Sequence, residues 1–278
     1  MCRLLRIWPA VPRLACLPPQ AVTIRALFDA SASRYERAIV PLLLPLTADL
    51  IAYAAPRPTD HVLDVGTGTG LAARLLAPYV RRVTGIDFSL RSLTVARAIP
   101  TPAHVSYAAA DITRLPFPPR SFTLIVSSFG LNATNPADSL RALRRVCAPG
   151  GTLIIQEWGP SGPVDLALDD LLAHYAPDLP DLLDDEPRWT AQLQDTDDYT
   201  DWLAAYGFEV EDAREDAPVR VRLPSIEPYL TYKLAWTHRH DQLRAMDDSA
   251  RAAFFAAARQ LSLPTWEPVL FRITARRV

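Results

Sequence analysis

Lysine is almost missing from this chain. The 278 residues contain one, Lys233, and every other strongly basic side chain is an arginine. That excludes a Walker-type phosphate loop, which needs a lysine directly after its glycines. Cysteine is scarce as well. Cys2, Cys16 and Cys147 are too few and too scattered for a disulfide framework or a zinc site, which fits a reducing cytoplasm. No apolar run reaches the roughly 18 residues of a membrane helix, so no membrane span is expected. An excess of one charge is lacking too: 29 basic against 31 acidic residues leave a net charge of -2. No global attraction to nucleic acid follows from that balance.

What is present is an ordinary globular composition, 49% hydrophobic and 22% charged. The length suits one large core, or one core with an appended subdomain. Residues 1–25 stand apart, with four arginines, no acid and several prolines. They read as a disordered tail, with a targeting peptide as the alternative. Residues 26–55 place apolar residues at three- and four-residue steps, broken by Pro41 and Pro45. Two helices or one kinked helix, ending before Pro56, would form an N-terminal cap.

An alternation then runs through residues 60–158. "HVLDVG", "RRVTGIDFS", "HVSYAAAD", "FTLIVSSFG" and "TLIIQEW" read as strands, with helical segments between most of them. Ser89 is a candidate helix cap, Pro136 a helix start, and Pro149-Gly150-Gly151 a stop. This pattern predicts a doubly wound, mostly parallel sheet with helices on both faces and right-handed crossovers.

Beyond Trp158 the pattern changes. Asp165 to Asp201 holds twelve acids and one basic residue, Arg188. Residues 159–195 read as an acidic helical insertion, either simply solvated or capping a pocket. Thr196 is the expected cap of the next helix and Gly207 its stop. "FEVEDAREDAPVRVRL" reads as an edge strand or hairpin arm, residues 224–263 as a helical lid insertion, and "WEPVLFRITARRV" as a last strand.

The turn after the first strand carries the chemistry. Asp64 is followed by Gly66, Gly68 and Gly70, an acid and then G-x-G-x-G. Glycines permit positive φ and close approach of a ligand to backbone, and the helix that follows offers free N–H groups. The dinucleotide fingerprint wants a sixth-position glycine, but residue 71 is Leu. A carboxylate at Asp64 would repel a pyrophosphate and suits a ligand with a positive group. Asp87, 21 residues after Gly66, ends the second predicted strand, where it can accept from a ribose diol. Asp111 ends the third and can accept from an exocyclic amine. Three acids at strand C-termini coincide with the place where open α/β sheets bind ligands.

Here the sequence resembles the class I S-adenosylmethionine-dependent methyltransferases, most closely the ubiquinone/menaquinone-biosynthesis C-methyltransferase (methyltransferase type 11) branch. "LDVGTGTG", "GIDFS", "ADITRLPFPPRSFTLIVSSFGL" and "ALRRVCAPGGTLII" carry the resemblance, which covers Phe28 to Trp158 well and the rest loosely. It implies a Rossmann-like seven-stranded sheet with an antiparallel C-terminal strand and helical lid insertions, so that residues 26–278 form one methyltransferase domain. It implies that Asp64, Gly66, Thr67, Gly68 and Gly70 hold the methionine end of S-adenosyl-L-methionine. Asp87 would take the ribose hydroxyls, Phe88 would flank the adenine, and Asp111 and Ile112 would meet its edge. Ser127 would lie near the methionine, and Tyr35 would close over the cofactor, with Glu36 where the family usually has Asp. Thr123 replaces an Asp of the pattern, and Asn132 and Ala133 stand where relatives often have histidines.

The resemblance also narrows the reaction. Amino-methylating relatives carry Asn/Asp-Pro-Pro-Tyr after the fourth strand, where this chain has "SSFG"; catechol-type relatives place a metal-binding acid there. A Pro-Cys nucleophile is absent as well. The reading is a metal-independent O- or C-methyltransferase (EC 2.1.1.-) with a small-molecule acceptor. Alternatives are a tRNA-modifying methyltransferase and a non-catalytic cofactor-binding partner. No catalytic base is assigned; His174, His238, His240 and Tyr175 are candidates, with Asn132 as a positioner. Tyr175, Trp189, Tyr229, Tyr232, Trp236 and Phe254 could line an aromatic acceptor pocket or simply fill cores.

Overall fold

The computed structural model describes residues 24–132, 134–176, 189–217, 219–235 and 237–278. Residues 1–23 of the expected tail, Ala133, Trp236, the side chain of His238 and residues 177–188 of the acidic insertion lie outside the described residues, while Ile24 and Arg25 open the first helix.

A helical path opens the described chain: α1 (Ile24–Arg34), a π-helical turn over Tyr35–Ile39, and α2 (Val40–Ala54). The alternating region follows as β1 (His61–Val65), α3 (Leu71–Leu76), β2 (Arg82–Asp87), α4 (Leu90–Ala98), β3 (Val105–Ala109), β4 (Phe122–Ser128), α5 (Pro136–Val146) and β5 (Cys147–Trp158). Then come α6 (Pro163–Tyr175), α7 (Trp189–Gln192), α8 (Thr196–Ala205), β6 (Phe208–Asp216), β7 (Val221–Arg222), α9 (Glu227–Lys233), α10 (Thr237–Ala245), α11 (Asp248–Ala258), β8 (Thr265–Trp266) and β9 (Leu270–Arg277).

Seven strands form one sheet in the order β3-β2-β1-β4-β5-β9-β6. The pairs from β3 through β5 are parallel, and β9 runs antiparallel to both β5 and β6. This is the expected Rossmann-like sheet with its antiparallel C-terminal strand. Strand residues alternate between two cores, as a sheet covered on both faces requires. Val62, Leu124, Val126 and Ile154 face α2 and α3 with Leu50 and Leu76. Leu63, Ile125, Leu153 and Ile155 face the other way, among Leu140, Leu143, Tyr199 and Leu203 of α5 and α8. A third core joins the π turn and α2 to α6, α9 and α11 through Ile39, Leu43, Leu46, Leu168, Leu172, Tyr229 and Phe254. That third core roofs the strand ends.

Three local expectations are corrected. Pro41 and Pro45 do not break the first helical segment. Pro41 falls in the first turn of α2, where its missing N–H is not needed. Pro45 sits inside α2, and burial of Leu42, Leu43, Leu46, Leu50 and Ile51 offsets its cost. Because the path is continuous, Phe28–Ala54 is a 27-residue helix long and apolar enough, by length and composition, to cross a membrane. Asp49 interrupts its apolar residues, and its apolar face packs into two of the cores. Finally, the cap of α8 is Asp195, whose side chain accepts from the amides of Asp197 and Asp198, and Thr196 is the first helical residue. Ser89 does cap α4.

One ion cluster, built on a buried arginine and two half-buried acids, ties the helical path to the far side of the sheet. Arg272 of β9 donates to Asp49 of α2 at 2.7 Å and to Asp216 of β6 at 2.6 and 3.1 Å. Its guanidinium also lies 4.9 Å from the Tyr53 ring centre. Replacing Arg272 by Met should leave two part-exposed carboxylates to water and cost roughly 1 kcal/mol, since solvent screens them. Urea unfolding of the R272M variant checks this, and an unchanged midpoint would show that the cluster is energetically idle.

Candidate active site

The glycine turn lies at the C-terminal end of β1, beside the end of β4. All three glycines have positive φ: +69° at Gly66, +55° at Gly68 and +86° at Gly70. They are glycines for different reasons. A Cβ on Gly66 would stand 2.5 Å from the Cα of Gly130, and one on Gly70 would stand 2.5 Å from the Tyr107 hydroxyl. A Cβ on Gly68 would meet nothing within 4 Å. Gly66 and Gly70 are therefore constrained by packing, whereas Gly68 presents bare backbone to open space.

The acids are buried around this turn. Asp64 is 1% exposed and accepts from the Thr67 hydroxyl at 2.6 Å. Burial pushes its carboxyl up to about 6, against the pull of Thr67 and the Ala73 amide. Asp87 accepts from the Gly68 amide and the Ser89 amide, each at 2.8 Å. Burial raises its pKa too, while those amides lower it. The Phe88 amide contributes as well, and a carboxylate has about four lone-pair sites, so it keeps capacity for a ligand hydroxyl. Tyr35, in the π turn, comes close enough to both acids for their charges, after burial itself, to raise its hydroxyl pKa.

Helix α1 covers this edge. Asp29 accepts from the Ser89 hydroxyl at 2.7 Å and the Arg91 amide at 3.2 Å, and Phe28 meets Phe88 edge-on at 5.6 Å. Arg74 ties α3 to the π turn through Glu36 at 3.1 Å. Several buried polar atoms near the turn have no partner among the described residues: the Thr69 hydroxyl, the Tyr107 hydroxyl and Glu36 Oε2. Orphaned donors and acceptors around bare backbone suit a ligand that brings its own polar groups. Both the acids and these atoms fit an ammonium-bearing amino acid joined to a nucleoside.

Other expected residues sit differently. Asp111 is exposed, caps the short turn Ile112–Arg114 by accepting from the Thr113 amide, and lines neither cavity described below. Ile112 is buried in the sheet core. Ser127 lies within β4, not after it, and its hydroxyl accepts from the Gly130 amide at 3.2 Å. The serine that lines the small cavity is Ser128. This corrects Ser127: strand alternation turns its side chain to the opposite face from Ser128.

Two cavities meet here. The small one, about 30 Å³, is lined by Asp64, Gly66, Thr67, Thr69 and Ser128. The large one, about 570 Å³, is lined by Trp158, Tyr229, Tyr232, Trp266, Asn132 and Lys233 among others. Tyr35, Leu43 and Phe129 line both. Phe129 holds φ +62°, unusual for a bulky residue, and stacks on Trp158 at 4.0 Å and 10°. Such strain concentrates at functional sites. The sequence reading missed Phe129, Trp158 and Trp266. Their only early signal was an aromatic residue at the end of each of two adjacent strands.

The expected positioner Asn132 lines the large cavity, while the candidate bases His174, Tyr175 and His240 line neither. Tyr229 and Tyr232 line it; Trp189 and Phe254 are buried in cores instead. Of the insertion's described acids, Asp165 reaches the cavity.

Glu157 was not anticipated. It is fully buried on β5, accepts from the Leu131 and Asn132 amides, and its Oε2 has no partner among the described residues. Burial pushes its carboxyl from 4.5 up to about 8. A raised acid is most stable in the fold below its ordinary range, so stability is lost as pH climbs from about 4.5 to about 8. Each unit across that window costs about 1.4 kcal/mol. Glu157→Gln should flatten the decline, above all its part beyond the Asp64 range. Urea unfolding at pH 5, 6.5 and 8 tests it, and an equal decline in both proteins would remove Glu157 as the cause.

With the geometry established, similarity to known proteins becomes informative. Residues 63–155 match the family model of a methyltransferase domain. A demethylmenaquinone methyltransferase of Clavibacter sepedonicus is 32% identical over 203 residues, 66% of this chain and 82% of that protein. One from Renibacterium salmoninarum is 28% identical over 217 residues, 70% of this chain and 87% of its own length. In fold, the chain is similar to the crystal structure of a putative methyltransferase from Bacillus halodurans, with TM-score 0.56 and 21% identity, covering 83% of this chain and 97% of that one. The chain belongs to the class I S-adenosylmethionine-dependent methyltransferases, in the branch of the ubiquinone/menaquinone-biosynthesis C-methyltransferases, and uses S-adenosyl-L-methionine as methyl donor.

Proposed function

We propose that the chain methylates an oxygen or carbon of a small, planar, largely apolar acceptor, without a metal ion. The observation that carries this reading is the meeting of two cavities across Tyr35, Leu43 and Phe129. One is lined by acid and glycine backbone, the other by rings. The relatives named demethylmenaquinone methyltransferases favour a small-molecule acceptor. The absence of an acid from "SSFG" at the end of β4 favours a metal-independent reaction.

On this reading Asp64, Gly66, Thr67, Gly68 and Gly70 hold the methionine end, and the orphaned Thr69 hydroxyl gains a partner there. Asp87 takes the ribose hydroxyls through the acceptor capacity its amide bonds leave free. Phe88 and Ile112 bound the base, with Asp111 at its outer edge. Ser127 acts indirectly, by fixing the Gly130 amide beneath the turn. When bound, S-adenosylmethionine supplies an electrophilic methyl group on a sulfonium. The residues' share is alignment and exclusion of water, an orientation effect worth several kcal/mol. Tyr35, Leu43 and Phe129 enclose the passage between the cavities, and α1 closes the outer edge through Asp29.

Titration calorimetry with S-adenosylmethionine tests the residue roles. Asp87→Ala should weaken binding roughly 10- to 100-fold, the loss of hydrogen bonds to a charged acceptor. Gly68→Ala is the sharper probe. Its Cβ meets nothing in the protein, so stability should fall by only about 1–2 kcal/mol from the left-handed backbone, while binding should drop by more than about tenfold. Unchanged binding in G68A would remove the turn from the cofactor site. A radiolabelled methyl-transfer screen against a metabolite extract tests the activity. Transfer to a small organic product is expected, and binding without any transfer would favour a non-catalytic partner protein.

A further inference from the structure

The large cavity is built mostly from rings, yet one wall is charged. Lys233, the single lysine of the sequence, ends α9 with its side chain 15% exposed. Its ammonium lies 2.5 Å from Asp165 Oδ1. The rings of Tyr232, Trp158, Tyr229 and Trp266 surround it at 5.3, 5.7, 5.7 and 5.9 Å. Arg239 lines the same wall and is held by Asp169 through two bonds of 2.6 Å.

The carboxylates on this wall are already engaged. Asp165 receives Lys233 and the Tyr229 hydroxyl on Oδ1 and the Gly162 amide on Oδ2. Asp169, outside the lining, holds Arg239 through one bond to each oxygen. Glu267, elsewhere in the lining, pairs with Arg220 at 3.2 Å. Among the described residues the cations are not saturated. An ammonium has three donors and a guanidinium five, and these pairings use one and two of them. The wall therefore has donors to spare. A cationic ligand would find the aromatic cage already filled by Lys233, and a wholly apolar ligand would cover the spare donors without pairing them, at a cost.

We infer that Lys233, with Arg239 beside it, is the anchor of the acceptor: the cavity takes a planar aromatic molecule bearing an oxyanion at the end remote from the glycine turn. This rests on the reading of the large cavity as the acceptor site. Lys233 lies behind Trp158, which stacks on Phe129, and it lines the large cavity but not the small one. It is thus a specificity residue that holds the far end of the acceptor, not a group at the transferring methyl.

Three probes of one shape test the inference on the full chain saturated with S-adenosylhomocysteine: naphthalene-2-carboxylate, 2-naphthamide and 2-naphthylmethylammonium, titrated by calorimetry. The carboxylate should bind at least about tenfold more tightly than the amide, as one charge-assisted hydrogen bond allows, and the ammonium should bind most weakly. Lys233→Met should abolish the carboxylate preference and leave amide binding within about threefold, whereas Lys233→Arg should keep the preference. Equal affinity for carboxylate and amide, or an unchanged preference in K233M, overturns the anchor while leaving the cavity an acceptor site. Failure of all three probes, with S-adenosylhomocysteine still bound, overturns both. Should K233M not fold, the order of the probes on the unmodified protein decides alone.

Discussion

Everything at the site depends on how closely two backbone segments approach beneath it. Gly66, leaving β1, and Gly130, leaving β4, touch so tightly that a Cβ on Gly130 would collide with the Val65 carbonyl oxygen. β1 and β4 are neighbouring parallel strands whose exits lead to helices on opposite faces of the sheet, α3 and α5. That divergence opens a crevice at a topological switch point, the general binding position of such sheets. The glycine contact sets its floor. Because the floor is backbone, the Gly68 amide can reach Asp87, and the loop after β4 can carry Phe129 into the left-handed region. Bulkier residues at either glycine would push the two loops apart and separate the two cavities from the wall they share.

The sheet and one half of the site were legible in the sequence because both are local in kind. Period-two apolar runs punctuated by helical segments give the parallel sheet, and a strand-end acid before alternating glycines marks the turn. Asp87 needed only its spacing from Gly66. The ring-lined half was not legible in the same way. Trp158, Lys233 and Trp266 come from β5, α9 and β8, and Asp165 from α6. Nothing in the spacing of these residues says that they converge; tertiary packing alone brings them together. Lys233 stood out as the only lysine, but a count does not give a location. Ser127 shows what a strand hides: its hydroxyl holds the Gly130 amide, while alternation gives the cavity face to Ser128.

The helical path illustrates how burial overrides a local signal. Two prolines within five residues argue for a break, and the chain instead runs on through a π turn. That turn carries Tyr35 and Glu36 to the glycine loop, where Arg74 holds Glu36. π turns recur at functional sites because the added residue re-aims side chains without ending the helix. The same path is fastened at both ends, by Asp29 on the α4 terminus and by Asp49 on Arg272. Its placement over the crevice is therefore set by polar contacts outside the crevice as well as by the apolar face of α2.

Charge explains why this crevice favours its cofactor. Asp64 and Asp87 are both buried, and Glu36 stands near Tyr35 with one oxygen unpartnered among the described residues. Arg74 is the cation paired there, and it is committed to Glu36 and to the Thr69 carbonyl. The protein alone thus concentrates negative charge where desolvation already disfavours it, which is why Asp64 titrates near 6. Desolvated acids of this kind destabilise the free fold as pH rises through that value. A ligand carrying an ammonium and a sulfonium relieves the same penalty, since opposite charge restores the ionised carboxylate. On the proposed reading the destabilisation in the free protein becomes binding energy in the complex. Selectivity against a pyrophosphate needs no further device, because the charges that attract the one ligand repel the other.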